Sequence, residues 1–258
     1  MSAVRCLSIA GSDSGGGAGI AADLRAFAAQ GCHGMTAIVA VTAQNSVGVS
    51  AVHEIPPEII TAQFDAVFDD IGVDAAKTGM LGSRATIEVV ASALQNRAAP
   101  LVVDPVILAS SGAALLQPDA ISALVRLMFP LATVITPNLP EATTLCGREG
   151  SRRELAEQLH DMGAAAVVVT GGHGVPPIDH LFDGRTHEDI PVPRHATRTT
   201  HGAGCTHSAT LGARLAHGDD LVTAATTAAR VAAAAVEHGL SGIGAGEGPV
   251  NVLPGGFC

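Results

Sequence analysis

Short apolar runs alternate along the chain with longer segments whose apolar residues recur at helical spacing. The runs that predict strands are VRCLSIA (4–10), TAIVAVT (36–42), DAAKTGM (74–80), LVVDPV (101–106), ATVITPN (132–138) and AAAVVVTGG (164–172). Helical patterns lie between them, beginning with GGAGIAADLRAFAAQG (16–31), which a glycine closes. This alternation predicts an α/β fold with a mostly parallel sheet and helices on both of its faces.

Two of the predicted helices carry local signals for where they begin. Segment 56–70 opens with two prolines, and segment 151–163 opens with Ser151 and Glu154 at the spacing of a capping box. The first of these helices is predicted to place five apolar residues on one face: Ile59, Ile60, Phe64, Val67 and Phe68.

The last third of the chain has a different pattern. Two short runs surround Asp183-Gly184, which predicts a hairpin, and residues 206–240 predict two long alanine-rich helices. No linker, low-complexity segment or internal repeat divides the chain, so residues 1–258 are predicted to form a single domain.

Charge and composition exclude several classes of function. The formal net charge is −10 and no lysine–arginine cluster occurs, so neither nucleic acid nor an anionic membrane is an expected partner. The five cysteines are widely separated and form no CxxC pair, which is typical of a protein from a reducing cytoplasm. The apolar run at the N-terminus is too short for a signal peptide, and no run approaches the length of a membrane span. We therefore expect a soluble, cytoplasmic protein.

Polar or glycine-rich residues follow nearly every predicted strand. In chain order they are GSDSGGGAG, AQN, TGM, DPV, TPNLPE and TGGHG. Ligands of an open parallel sheet bind beyond the carboxyl ends of its strands. We therefore expect one edge of the sheet to carry the chemistry.

The glycine-rich loop after the first strand contains residues 17–22, which match G-x-G-x-x-A. The loop before this match is long, no acid ends the second strand, and no Gly-Lys-Ser/Thr follows. Neither a dinucleotide fingerprint nor a Walker A loop is therefore predicted. The glycines either serve only to allow positive φ angles or let the backbone approach a small substrate closely. The position of the loop at the sheet edge favours the second explanation.

Three residues near this loop have ordinary interpretations, and two of them also have a functional one. Asp23, one turn into the first helix, could be a solvated acid that favours the helix N-terminus. Gln44 could be an ordinary loop residue, or its amide could bind the edge of an aminopyrimidine. Met80 could form a wall for a flat ring, although the residues alone favour a core position.

Carboxylates follow two later strands. Asp104 ends an apolar strand and is predicted to point into the crevice. Asn138 and Glu141, in TPNLPE, suit either a magnesium shell held partly through water or a helix cap.

The segment THGAGCTH (200–207) leads through three small residues into a predicted helix. Backbone amides of such a loop at a helix N-terminus form an anion site, and the same field is expected to lower the pKa of the Cys205 thiol. The alternative is a buried structural cysteine, as we expect for Cys6, Cys32 and Cys146. His201 and His207 flank Cys205, but no fourth ligand accompanies them and a zinc site is not expected.

Together these segments resemble the hydroxymethylpyrimidine and phosphomethylpyrimidine kinases of thiamine biosynthesis, within the ribokinase-like superfamily. The resemblance covers essentially the whole chain and rests on IAGSDSGGGAGIAADL, TAQN, KTGML, DPV, TPNLPE, GGH, THGAGCT and GEGPV in this order. It implies a three-layer α/β/α fold, a homodimer, and ATP and Mg²⁺ as co-substrates. It also implies two phosphoryl transfers, which convert 4-amino-5-hydroxymethyl-2-methylpyrimidine to its monophosphate and then to the diphosphate.

The resemblance implies roles for individual residues by matching position. The implied pyrimidine pocket contains Gly11, Asp23, Gln44, Met80 and Val106. Mg²⁺ and phosphate are implied to lie at Asp104, Asn138 and Glu141. The implied ATP side contains Asn138, Thr170, Gly172, His173 and Arg198. The implied anion hole is formed by Gly202, Ala203 and Gly204, with Cys205 as the catalytic base.

The base position leads to an expectation about the two transfers. Phosphoryl transfer depends mainly on positioning and charge neutralisation. In the first transfer Cys205 would take the proton of an alcohol, whereas the nucleophile of the second is a phosphate already ionised at neutral pH. We therefore expect Cys205→Ala to impair the first transfer more than the second.

Two lysines frequent in such kinases are absent. Thr170 precedes Gly-Gly-His, and Ser110 and Ser111 follow the DPV segment. Arg198 or Lys77 could compensate for the missing positive charge. The absence leaves a non-catalytic pyrimidine or nucleotide binder as one alternative, although a binder has no need of a base.

A second alternative is a pyridoxal or pyridoxine kinase of vitamin B6 salvage. One group of such kinases has an additional cysteine shortly after DPV, and the segment ILASS (107–111) has none. This disfavours the alternative, while side activity on pyridoxal stays open.

Overall fold

The computed structural model describes residues 3–109, 112–172 and 175–253. Within them, nine strands form one sheet. They are β1 (Arg5–Gly11), β2 (His33–Asn45), β3 (Gly48–Glu54), β4 (Ala75–Thr78), β5 (Leu101–Val103), β6 (Val134–Ile135), β7 (Val167–Val169), β8 (Ile178–Phe182) and β9 (His187–Pro191). Their order across the sheet is β3-β2-β1-β4-β5-β6-β7-β8-β9. In this order, the six neighbours β2, β1, β4, β5, β6 and β7 are parallel. Strand β3 at one edge, and β8 and β9 at the other, are added by antiparallel pairing.

Helices connect the strands. They are α1 (Gly19–Ala29), α2 (Pro57–Ala66), α3 (Arg84–Leu94), α4 (Ile121–Ala123), α5 (Leu139–Cys146), α6 (Arg152–Asp161), α7 (Ala203–Ala216) and α8 (Leu221–Glu237). Helix α2 continues as a π turn over Val67–Ile71, and α4 continues as a π turn over Leu124–Met128.

The alternating side chains of the central strands separate two apolar layers. Val103 packs with apolar residues of α2, α3, α5 and α6 on one face. Its neighbour Val102 packs on the other face with Leu211 of α7 and alanines of α8. Phe27 of α1 packs beside α7 on this second face. The predicted sheet with helices on both faces is confirmed, and it has three layers.

Most local predictions are confirmed. Ser151 and Glu154 form both hydrogen bonds of the capping box. Asp183-Gly184 joins β8 to β9, and Gly184 has a φ of +84°. The two alanine-rich helices are α7 and α8.

Two local predictions are wrong in detail. Ile59 is 50% exposed, because it lies about 100° around the helix from the buried Ile60 and faces away from the sheet. Strand β2 extends to Asn45, so Gln44 lies inside a strand rather than in a loop. The sequence does not predict β3, the antiparallel partner of β2. Its residues are largely exposed and lack an alternating apolar pattern.

No helix within the described ranges has the length and apolar character needed to cross a membrane.

Candidate active site

The start of α7 lies at the carboxyl edge of the parallel strands. Helix α7 packs on β1, β4 and β5, and α1 packs against α7. Gly11 ends β1, and Asp104 directly follows β5. The sequence prediction that one sheet edge gathers the polar segments is confirmed for these elements.

The backbone around Gly202 forms the turn into α7. Gly202 caps the helix with a φ of +86°, and a Cβ at this position would collide with the Gly17 carbonyl oxygen. The Ala203 N–H donates to Thr200 at 3.0 Å. The N–H groups of Gly204 and Cys205 have no hydrogen-bond acceptor among the described residues. The free amides that an anion could use are therefore those of Gly204 and Cys205, one residue later than the predicted 202–204 loop.

The Cys205 thiol lies between the N-termini of two helices. Burial raises its pKa to about 12, while the positive charge of Lys77 and the Gly19 backbone N–H act in the opposite direction. The expectation of a lowered thiol pKa is therefore wrong. Desolvation, together with the negative charges of Asp23 and Asp104, outweighs the favourable helix field.

Beneath the thiol, Lys77 and Asp23 form a buried ion pair. The Lys77 ammonium lies 2.9 Å from the Asp23 carboxylate, and both side chains are fully buried. Ser8 also donates to Asp23. The interpretation of Asp23 as a solvated acid is therefore wrong, because its partner comes from a strand 54 residues away. Its role in the pyrimidine pocket stays a prediction.

Lys77 also faces the carboxylate predicted to bind metal. Its ammonium lies 3.8 Å from Asp104. Burial alone would lower the pKa of Lys77, but the neighbouring carboxylates, Asp23 first and then Asp104, outweigh it and raise that pKa. Lys77 thus neutralises buried carboxylates inside the fold. That it also replaces a missing phosphate-facing lysine stays a prediction, which these contacts do not support.

Asp104 and Glu141 form an acidic pair suited to a divalent cation. Asp104 accepts from Ser208 at 2.9 Å through one oxygen, and its other oxygen has no partner among the described residues. Glu141 is buried, and burial together with the charge of Asp104 raises its pKa to about 8. A cation between the two carboxylates would offset this repulsion. Because Mg²⁺ is commonly held by one or two carboxylates and substrate phosphates, these residues fit it.

Asn138 has the capping role that the sequence left open. Its side chain accepts from the Glu141 N–H at 2.9 Å, and Glu141 accepts from the Asn138 N–H at 2.9 Å. This capping box fixes the carboxylate at the first turn of α5. Glu141 therefore combines the two interpretations, as a cap residue and as a carboxylate beside Asp104. In the described residues, no group of three or more His, Cys, Asp or Glu could hold a metal ion.

The predicted pyrimidine side forms a wall of small and flexible groups. Met80 is 9% exposed, and its methyl group occupies the space that a side chain on Gly11 would need. Gln44 is half-buried. Its backbone N–H donates to the Ser14 hydroxyl at 2.8 Å, which ties this part of β2 to the glycine-rich loop. The single hydrogen of the Thr42 hydroxyl donates to the Ser12 carbonyl at 2.8 Å, so its 3.3 Å approach to the Gln44 side-chain oxygen is secondary. The Gln44 NH₂ has no acceptor among the described residues. Val106 lies partly exposed just beyond Asp104.

The predicted ATP side is partly assembled. Thr170 forms a bridge with Asn138, and its N–H donates to Pro137 at 2.9 Å. Gly172 is exposed, and its carbonyl accepts from Arg194 at 3.2 Å. Arg198 is exposed on the segment that leads into the Gly202 turn. Three predicted positions lie outside the described residues: Ser110, Ser111 and His173.

Asp13 is a structural residue of this site that the sequence interpretation missed. Its carboxylate accepts from the N–H groups of Gly15, Gly17 and Ala18 at 2.8 to 2.9 Å, and from His201 at 2.8 Å. An aspartate two residues before a run of glycines is a signal for such side-chain-to-backbone bonding. Asp13 therefore organises the whole glycine-rich loop.

A backbone anion site, an adjacent thiol and two carboxylates at the edge of a parallel sheet suit phosphoryl transfer. The family model described as phosphomethylpyrimidine kinase matches residues 13–251. The chain belongs to the phosphomethylpyrimidine kinase family. A relative from Rhizobium meliloti (strain 1021), named hydroxymethylpyrimidine/phosphomethylpyrimidine kinase, is 48% identical over 253 residues, which cover 95% of each chain.

Solved structures of related kinases have the same fold. The ADP complex of Bacillus subtilis pyridoxal kinase matches with a TM-score of 0.88 and 38% identity, over 97% of each chain. The phosphomethylpyrimidine kinase of Clostridium difficile 630 matches with a TM-score of 0.78 and 37% identity, over 88% of this chain and 96% of that one. The ribokinase-like fold and the assignment as a kinase are thereby confirmed, and the non-catalytic binder is disfavoured. The roles of the individual residues in this phosphomethylpyrimidine kinase family member stay predictions.

Proposed function

We propose that the protein transfers a phosphoryl group from ATP to 4-amino-5-hydroxymethyl-2-methylpyrimidine, and then a second one to the resulting monophosphate, for thiamine biosynthesis. The observation that carries the proposal is the position of Cys205. Its thiol lies at the free amides of α7, beside the N-terminus of α1 and the glycine-rich loop. The proposed proton acceptor, anion site and substrate loop would then share one crevice, as phosphoryl transfer to a small alcohol requires.

On the acceptor side, the aminopyrimidine would lie against Gln44 and Met80. The free NH₂ of the Gln44 amide can donate to a ring nitrogen, and its oxygen can accept from the exocyclic amine. The Met80 thioether offers a polarisable surface to the flat ring. The missing side chain at Gly11 leaves Met80 room to lie there.

On the donor side, Asp104 and Glu141 would hold Mg²⁺. When bound, Mg²⁺ neutralises charge on the phosphate oxygens of ATP. The free N–H groups of Gly204 and Cys205 would bind the transferred phosphoryl group and reduce its charge repulsion with the acceptor oxygen. Thr170, Gly172 and Arg198 would line the nucleotide side.

In the first transfer, the alcohol proton would go to the Cys205 sulfur. Because burial favours the neutral thiol, Cys205 would first release its own proton to solvent, and the resulting thiolate would accept the proton of the alcohol. Lys77 and the Gly19 N–H stabilise that thiolate. The second transfer needs no such proton acceptor, since the phosphate nucleophile carries negative charge at neutral pH.

Turnover with three separate acceptors tests this proposal. The protein is incubated with Mg-ATP and either the hydroxymethylpyrimidine, its monophosphate or pyridoxal, and the products are identified by mass spectrometry. The proposal predicts phosphorylation of both pyrimidines. Phosphorylation of pyridoxal alone would move the assignment to vitamin B6 salvage, and no product from any acceptor would refute the kinase function.

We further propose that the protein works as a homodimer in the cytoplasm. Strand β3 is an open edge, and Val41, Val47 and Val52 around the β2–β3 hairpin are exposed by 48%, 63% and 50%. A second copy could cover these side chains. The cysteines in the described ranges are free, as in a reducing compartment. Light scattering on the purified protein tests the dimer, and a monomer at micromolar concentration would contradict it.

A further inference from the structure

Two histidines flank Cys205 in the chain, and each forms a buried pair with an aspartate. The His201 Nε2 lies 2.8 Å from Asp13, and the His207 Nε2 lies 2.9 Å from Asp179. All four side chains are nearly or fully buried. An ionised carboxylate can only accept, so each histidine donates from Nε2.

The pair formed by His201 and Asp13 joins the turn into α7 to the glycine-rich loop. Asp13 uses its remaining lone pairs on three backbone N–H groups of residues 15–18. The His201 ring fills the space that a side chain on Gly17 would occupy, and Gly202 packs directly on the Gly17 carbonyl. The turn into α7 and the loop proposed to receive the pyrimidine are thus in direct contact.

The pair formed by His207 and Asp179 joins α7 to the opposite loop. One oxygen of Asp179 accepts from His207, and the other accepts from the Gly171 N–H at 2.6 Å. A Cβ on Gly171 would collide with the backbone of Ile178, so the loop has no room to shift toward β8. Gly171 lies between Thr170 and Gly172, on the proposed nucleotide side.

We propose that these two pairs are positioning devices that set the two substrates on either side of Cys205. His201 with Asp13 fixes the acceptor loop relative to the α7 amides, and His207 with Asp179 fixes the nucleotide loop relative to the same helix. The inference rests on the proposed function for its assignment of the two sides. Because phosphoryl transfer depends on alignment of donor and acceptor, a loop released from α7 loses both affinity and rate.

The test separates the two sides by their Michaelis constants. In His201→Asn the asparagine amide is too short to reach Asp13. The buried Asp13 carboxylate then loses one of its hydrogen-bond donors. We expect the KM for the pyrimidine alcohol to rise about ten-fold or more, with the KM for ATP within about three-fold of wild type. His207→Asn is expected to show the reverse, and kcat falls in both variants.

Matched variants distinguish positioning from simple structural damage. His201→Gln and His207→Gln place an NH₂ at the reach of the imidazole Nε2, so each should restore its KM to within about three-fold of wild type. His217→Asn changes a histidine at the far end of the same helix and should leave both constants unchanged. Equal shifts of both constants in either Asn variant, or Gln variants no better than the Asn variants, would overturn the proposal. If an Asn variant does not fold, a Gln variant with a ten-fold shift still overturns it.

Binding without turnover keeps this test independent of the proposed reaction. Calorimetric titration with ADP alone should show weaker binding to His207→Asn and unchanged binding to His201→Asn. A wild-type protein that binds ADP but makes no pyrimidine phosphate would refute the proposed function, while the ADP titrations would still decide the role of His207. Equal ADP affinity in wild type and His207→Asn would refute that role even in an active enzyme.

Discussion

At the scale of single residues, the buried charge of Lys77 has the largest consequences. It lies under Cys205 and contacts Asp23 and Asp104. Removing one member of a buried ion pair leaves the other without compensation, which costs more than the pair itself contributes. Lys77 is therefore both part of the fold and a source of positive charge that favours the thiolate of Cys205.

The variant Lys77→Met should be strongly destabilised. Its Asp23 carboxylate stays buried without a cation, and we expect the free energy of unfolding to fall by about 3–5 kcal/mol. Urea denaturation followed by circular dichroism measures this. The double variant Lys77→Met, Asp23→Leu should recover part of the loss. Losses that simply add in the double variant would contradict the ion pair.

The raised pKa of Glu141 predicts a pH dependence of the metal-free protein. The folded state holds a proton up to about pH 8, whereas the unfolded chain releases it near the ordinary value of 4.5. Between these values the folded state binds more protons, so its stability falls as pH rises. Glu141→Gln, which preserves an acceptor for the capping box, should flatten this slope.

Chemical denaturation in the presence of a chelator, from pH 5 to pH 8, measures the effect. Added Mg²⁺ should restore stability at the alkaline end, because it compensates the charge of the ionised pair. If the free energy of unfolding of Glu141→Gln depends on pH as steeply as that of wild type, Glu141 does not titrate in this range.

Residue identity alone could not predict these environments. Asp23 has the sequence position of a solvated helix residue, and its burial follows from a lysine on β4 that only the folded sheet brings near. The direction of the Cys205 shift depends on how closely α1 packs, which local sequence does not contain. By contrast, Asp104 directly follows β5 and Glu141 lies in the first turn of the helix after β6, so their convergence could be predicted from the parallel pattern.

At the scale of elements, the start of α7 depends on two glycines with different requirements. Gly202 has a positive φ and no room for a Cβ beside Gly17. Gly204 is inside the helix, and a Cβ there would meet open space. The two positions therefore form a natural comparison.

Gly202→Ala should destabilise the protein by about 1–3 kcal/mol through backbone strain and should lower activity by displacing the free amides. Gly204→Ala should leave stability unchanged or raise it by up to about 1 kcal/mol, since alanine favours a helix interior. Thermal unfolding of both variants measures the difference. Equal destabilisation would contradict the structure of this turn.

Element prediction succeeded where a pattern was strong. The helix boundaries at the capping box of α6 and the hairpin at Gly184 follow from local chemistry. Strand β3 was missed because exposed residues on an edge strand carry little apolar periodicity, and its pairing comes from the extension of β2.

At the scale of the whole molecule, the topology brings residues from both ends of the chain to one crevice. Asp13 follows the first strand, and His201 precedes the penultimate helix, yet they form a 2.8 Å contact. The sequence motifs predict that these segments share an edge of the sheet. They do not predict which side chains bind each other, because that depends on packing between loops.

The same crevice is proposed to serve two reactions with different nucleophiles. An alcohol has a proton to lose at the moment of attack, whereas the oxygen of a phosphate monoester is already ionised. A single base near the anion site therefore has unequal importance in the two steps, although positioning and charge neutralisation serve both.

The most direct measurement follows alcohol, monophosphate and diphosphate over time with wild-type protein and with Cys205→Ala. Wild type should accumulate monophosphate and then convert it to diphosphate. The variant should lose about 100-fold or more in the first transfer, as expected for removal of a general base, and less than about ten-fold when started from the monophosphate. An equal loss in both transfers would contradict Cys205 as the base, and formation of neither product by wild type would contradict the account as a whole.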